Sequence, residues 1–231
     1  MRVRVGFTPA EEVSAPLGIA IDVLRATSTI CQALASGYER VVCVAKVDDA
    51  RALAGDGVAL AGERFNVRID GFDYGNSPRE FFEPPSRPTL ALTTTNGTRL
   101  LLEAAARCET VLVASLLNLD AVVAVVLSSE PDEVAVLCAG VEGAFAIDDA
   151  YVAGRIAAAL GGDPDDAAVA AIQLAGSFAS AEEAIGAGTS AANIRRARLD
   201  DDIAWCARES LLELVPRVVE RGASSVVVSH S

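Results

Sequence analysis

Short β-branched runs recur along this chain, each followed by a segment of helical length, and that alternation limits the fold more than any other feature. Strand patterns cover residues 3–7, 18–23, 41–44, 58–61, 89–93, 110–114, 134–138 and 225–228. Helix patterns cover 27–36, 48–53, 98–106, 119–128, 148–160, 166–178, 181–185 and 201–215. Several of the strand runs are apolar throughout, as expected of strands covered on both faces. Buried strands in a β-α-β-α order predict a three-layer α/β/α fold around a largely parallel or mixed sheet. Residues 1–231 read as a single domain, with no inter-domain linker and no internal repeat. Two segments break the alternation. Residues 62–87, rich in Gly, Asn, Asp, Pro and Arg, read as a long loop, and a structureless stretch of that length is commonly functional. Residues 163–215 are mostly helical and are expected to form a helical cap.

Composition narrows the chemistry. Hydrophobic residues make up 52% of the chain and aromatic residues only 5%, so the expected core is aliphatic. A net charge of −13 with no basic run repels a polyanion, which argues against a nucleic-acid partner. Lys46 is the only lysine, so nearly all positive charge is arginine, a side chain suited to bidentate phosphate recognition. A general composition bias gives the same excess. The five cysteines are scattered, without CxxC spacing, and read as reduced core residues. The apolar stretch 111–127 is interrupted by Ser115, Asn118 and Asp120, which argues against a membrane span. The first seven residues read as a strand rather than a signal-peptide core, so a cytoplasmic protein is expected. A homodimer is the default assembly.

Four strand-to-helix turns concentrate polar groups. In the first, a buried strand ends at Asp22, and Arg25, Thr27 and Ser28 open a helix. Ligands of open α/β sheets bind beyond the carboxyl ends of strands, where helix N-termini offer free N–H groups to anions. Two readings fit: Asp22 and Thr27 cap the helix, or Asp22 is a metal ligand or nucleophile with Arg25 and the hydroxyls around phosphate. The second turn, 93–99, carries Asn96, Gly97 and Thr98, and serves equally as an ordinary turn or a second phosphate cradle. The third group lies in the long loop: Glu63, which follows a strand, with Arg64, Asn76 and Ser77. Glu63 suits a hard cation such as Mg²⁺, although a solvated loop explains these residues too. In the fourth, Gly140 leads toward Asp148 and Asp149 at a helix start, where the helix dipole alone favours two acids. The single histidine, His230, makes Ser-His-Asp chemistry and histidine-rich metal sites untenable, and no Walker or GxGxxG motif is present. Carboxylates, hydroxyls, arginines and a hard metal remain, an inventory that fits phosphoryl transfer. Sugar hydrolysis by two carboxylates fits it less well, because the arginines and anion-binding turns favour phosphate.

These motifs, taken in order, resemble the 2-phosphosulfolactate phosphatase (ComB) family. The resemblance rests on IDVLRATSTI at 21–30, GER at 62–64, GFDYGNSP at 71–78, TTNGTR at 94–99, CAG at 138–140, IDDAYVAG at 147–154 and LDDDIAWC at 199–206. It implies a magnesium-dependent phosphoric monoester hydrolase that converts 2-phosphosulfolactate to sulfolactate and phosphate, as in coenzyme M biosynthesis. It further implies that Asp22 is a metal ligand or nucleophile and that Glu63, Asp148 and Asp149 share its site, where their chemistry suits them to hold Mg²⁺ with it. Arg25, Thr27 and Ser28 would act around the phosphate. Arg64, Asn76, Ser77, Asn96, Gly97, Thr98 and Gly140 would complete its pocket. Residues 163–193 match none of these motifs and lie where a specificity cap is expected, so a different phosphoester is one alternative. A non-catalytic anion-binding protein is another.

Overall fold

The computed structural model describes residues 1–230, and the apolar runs become strands where the pattern predicts them. Strand β1 (Arg2–Gly6) and strand β2 (Leu17–Ile21) precede helix α1 (Ala26–Ala35). Strand β3 (Arg40–Val44) leads to α2 (Val47–Ala52), and β4 (Val58–Arg64) turns back on the short β5 (Val67–Arg68). Strand β6 (Thr89–Thr93) leads to α3 (Gly97–Arg107), β7 (Thr110–Ala114) to α4 (Leu119–Ser129), and β8 (Glu133–Cys138) to α5 (Ile147–Leu160). The last third holds β9 (Asp163–Pro164), α6 (Asp166–Gly176), α7 (Ala181–Ala187), α8 (Thr189–Arg196) and α9 (Asp200–Cys206), then the hairpin β10 (Arg217–Arg221) and β11 (Ser225–Ser229).

The strands form one mixed sheet in the order β5-β4-β6-β3-β11-β10-β7-β2-β8-β1-β9. Side chains alternate across it, which makes three layers. Ala20, Val41, Leu90, Val113 and Leu137 face α1 and α3, which contribute Ile30, Leu34, Leu100 and Leu101. On the opposite face Ile19, Ile21, Leu112 and Val136 meet α4, α5 and α6, while Leu60 and Ala91 meet α2 through Ala50. All five cysteines are buried and free. Among the described residues no helix is long and apolar enough to cross a membrane.

The sheet is two parallel blocks joined by the closing hairpin. Strands β4, β6 and β3 run parallel, as do β7, β2, β8, β1 and β9. Three antiparallel steps through β11 and β10 connect them. Five strand steps separate β6 from β2, roughly 24 Å in a flat sheet. Yet the first residue of α3 abuts the first residue of α1: a methyl group on Gly97 would meet Ala26 Cβ and lie 2.6 Å from Asp22 Oδ2. The sheet is therefore far from flat. Strand β10 meets β7 through the single pair Arg217–Leu112 and shifts register against β11 between Val218 and Glu220.

Two segments differ from the pattern. The helix expected over 201–215 ends at Cys206; the following chain is irregular, with Ser210 at φ +52°, and is tied down by Ser210 N and Leu212 N, which donate to the carbonyls of Leu116 and Leu117. The strand β10 that follows, Arg-Val-Val-Glu-Arg, is too polar at its ends to register as a buried strand. Within the long loop, β4 continues to Arg64, and a 3₁₀ turn forms at Pro78–Phe81, its first N–H groups satisfied by Ser77 and Glu80. Helices α6 to α9 bury Ala168, Ala171, Ile185, Ile194 and Ile203 in the same apolar cluster as β1, β2 and β8.

Candidate functional site

Because β2 is buried along its whole length, Asp22 emerges at its carboxyl end directly before α1. Asp22 Oδ1 accepts from Ala26 N at 3.3 Å, and its carbonyl accepts from Thr27 N and Thr27 Oγ1, both at 2.9 Å. Ser28 Oγ donates to the Val23 carbonyl at 2.8 Å, and Thr29 Oγ1 to the Asn76 carbonyl at 2.9 Å. The hydroxyls of Thr27 and Ser28 are thus spent on the turn itself, and neither residue lines the cavity that the turn borders. Asp22 both caps α1 and lines that cavity.

The cavity holds about 50 Å³, room for a few water-sized groups. Its polar wall consists of the Asp22 and Glu63 carboxylates, the Arg25 guanidinium, the amides of Asn66, Asn76, Asn96 and Asn193, and the hydroxyls of Thr94, Thr95 and Ser190. Leu24, Phe65, Val141 and Glu142 complete the lining. Of the residues singled out in the sequence, Asp22, Arg25, Glu63, Asn76 and Asn96 therefore meet at one place. Glu63 Oε1 accepts from Thr95 N at 2.8 Å and Thr95 Oγ1 at 2.9 Å, while Oε2 accepts from Asn66 N at 2.8 Å. Those bonds tie the β4–β5 turn to the turn after β6.

Others of the predicted set act one step back from the cavity. Arg64 donates to the carbonyls of Glu63 and Ala45 and to Thr93 Oγ1. Thr98 and Thr94 cap each other across the start of α3. Gly97 permits the close approach of α3 to Asp22, and Gly140, at φ +65°, takes a conformation in which a side chain would strike the Ala144 carbonyl. Asp149 accepts from Val23 N at 2.9 Å and Gly140 N at 3.0 Å, bracing two of the strand-end turns against each other. Asp148 accepts from Ser190 Oγ at 3.0 Å. Ser77 Oγ donates to Asp202 Oδ1 at 2.6 Å. Thr95 belongs to the 93–99 turn already read as a possible phosphate cradle, whereas Asn66, Ser190, Asn193 and Asp202 were not singled out as site residues. Of these four, only Asp202 carried a signal, as one of three consecutive acids.

The acids crowd one another. Burial raises Asp22 to about 7, and the charges of Asp148 and Glu63 push in the same direction against the Ala26 N–H and Arg25. Burial likewise raises Asp148 to about 6 and lifts Asp149 well above the ordinary carboxylate range, the latter with help from Asp148 and Asp22. Buried acids with so little compensating charge suit a bound cation. Among the described residues no three His, Cys, Asp or Glu side chains gather tightly enough to enclose a metal by themselves. Magnesium, however, is usually held through one or two carboxylates, water and substrate oxygens. The all-oxygen donors here fit it, including Asn76 Oδ1, which is buried and without a partner.

Residues 5–221 match the family described as 2-phosphosulpholactate phosphatase. A probable 2-phosphosulfolactate phosphatase of Thermotoga maritima is 37% identical over 220 residues, covering 94% of this chain and 95% of that protein. Proteins of the same description from Thermus thermophilus and Symbiobacterium thermophilum are 34% and 36% identical. The first alignment covers both chains completely, and the second covers 94% of this chain and 97% of its relative.

Proposed function

The chain belongs to the 2-phosphosulpholactate phosphatase family, and from that premise we propose that it hydrolyses 2-phosphosulfolactate to sulfolactate and inorganic phosphate with Mg²⁺ as cofactor. The reaction is the one coenzyme M biosynthesis uses. The observation that carries the reading is the cavity at Asp22, where carboxylates, amides, hydroxyls and one arginine converge without a histidine or cysteine. Such a set suits a charged phosphate ester and a hard cation, and it lacks the groups of nucleophilic Ser-His or thiolate chemistry.

Arg25 and the amides of the wall bind the phosphoryl oxygens, where charge spreads in the transition state. Asp22 borders the same space, with Oδ1 engaged by Ala26 N and Oδ2 lying beside Gly97. Asp22 and Glu63, together with water and substrate oxygens, would hold Mg²⁺, which when bound would supply charge neutralisation and let the buried acids stay ionised. The turn bonds from Glu63 to Thr95 and Asn66 hold the wall in place before substrate arrives.

The test is phosphate release by the purified chain from 2-phosphosulfolactate and a panel of small monoesters, with Mg²⁺, with chelator, and with Mg²⁺ restored. Rapid release from 2-phosphosulfolactate that chelator abolishes is expected. Preference for another ester would reassign the substrate. Tight binding without any turnover would make the chain an anion-binding protein. Trapping of a phosphorylated Asp22 would identify that carboxylate as the attacking group rather than a metal ligand.

A further inference from the structure

Arg25 and Asp202 form an ion pair sealed from solvent, with side chains 2% and 1% exposed and Arg25 Nη1 2.7 Å from Asp202 Oδ2. The partners come from opposite ends of the chain, Arg25 from the turn after β2 and Asp202 from α9. The other Asp202 oxygen accepts from Ser77 Oγ at 2.6 Å, so the carboxylate cannot rotate without losing a second bond. Arg25 Nη2 donates to Asn66 Oδ1 at 3.3 Å. A guanidinium is planar, so fixing both terminal nitrogens fixes the direction of the third.

That third nitrogen, Arg25 Nε, is buried and has no partner, and Arg25 borders the cavity. Buried polar atoms are almost always satisfied, and an orphan donor beside a cavity points to a ligand acceptor. Two buried charges are moreover a weak way to stabilise a fold, because desolvation offsets most of their attraction.

We propose that Asp202, anchored by Ser77, is a positioning residue that clamps the Arg25 guanidinium so that its Nε–H faces the transferring phosphoryl group. The inference rests on the phosphatase reading above and adds α9 to the working parts of the site. It also explains why only one of the three neighbouring acids is buried: Asp200 and Asp201 are exposed, and Asp202 points inward.

A double-mutant cycle tests it, with phosphate release and binding of inorganic phosphate measured for the whole chain with Mg²⁺. Asp202→Asn keeps the shape and removes the charge, and is expected to lower kcat on the order of 100-fold, the cost of a displaced catalytic group, with a smaller change in KM. Arg25→Lys, which has no Nε–H and no planar fork, is expected to lose at least as much. Because Asp202 acts through Arg25, the double variant should be no worse than Arg25→Lys alone, whereas independent roles would multiply. Ser77→Ala, which loosens the clamp without burying a bare charge, is expected to show a weaker loss of the same kind, and it serves if Asp202→Asn fails to fold. Multiplicative losses, or full activity in both Asp202→Asn and Ser77→Ala, would overturn the inference and leave the phosphatase reading standing. A wild-type chain that neither binds nor releases phosphate removes both.

Discussion

Replacing Gly97 by alanine probes the contact on which the whole site depends. The residue opens α3, and the only space for a methyl group is already taken: it would meet Ala26 Cβ and stand 2.6 Å from Asp22 Oδ2. Neither neighbour is the flexible end of a long side chain. Ala26 is the first residue of α1, and Asp22 is held by Ala26 N. Relief therefore requires α3 and α1 to separate, which overpacks the layer containing Leu100, Leu101 and Ile30. Overpacking of this kind costs about 1–3 kcal/mol. Separation also displaces Asp22 relative to Glu63 and Arg25, and a shift near 1 Å at a reacting group costs on the order of 100-fold in rate. Urea unfolding and phosphate-release kinetics should fall together in Gly97→Ala. Gly176→Ala is the control, because a methyl there meets nothing and should leave stability unchanged or raise it by about 0.5–1 kcal/mol. A Gly97→Ala chain with wild-type stability and rate would refute the claim that α1 and α3 are in steric contact at the site.

Chelated protein should lose stability as pH rises from about 4 to 7. Asp22 and Asp148 are raised to about 7 and about 6, so in that window the unfolded chain ionises while the folded one still holds its protons. Denaturant midpoints against pH check this, and Asp148→Asn should flatten the slope; a slope of opposite sign refutes it. Glu63→Gln should destabilise by about 1–3 kcal/mol, since an NH₂ group would replace an oxygen that accepts from Thr95 or Asn66, and unchanged unfolding would refute the bracing role. Gly140→Ala should be destabilised by at least about 1 kcal/mol, because its φ of +65° and the Ala144 carbonyl both oppose a side chain, and a neutral result in thermal unfolding would contradict that.

Sequence alone determined the order of the main strands and helices, because their periodicities are local: β2 is apolar at every position, and the turn after it carries Asp22 and Arg25. The same locality made Glu63 and Asn96 readable as polar groups at strand ends and Asn76 as a polar group of the long loop, and all three line the cavity. Tertiary structure decided the rest. Thr27 and Ser28 look like phosphate donors in a string of hydroxyls, but their oxygens already serve the turn. The strand β10 exists because β7 and β11 offer it partners, and no property of Arg-Val-Val-Glu-Arg announces that. The contact between the turn after β6 and the turn after β2, Gly97 against Ala26 and Asp22, is likewise a product of packing. Asp200, Asp201 and Asp202 are chemically identical, and only the packing of α9 selects the one whose charge meets Arg25. Hydrophobic periodicity is written residue by residue, whereas the partner of a buried charge depends on how distant segments pack.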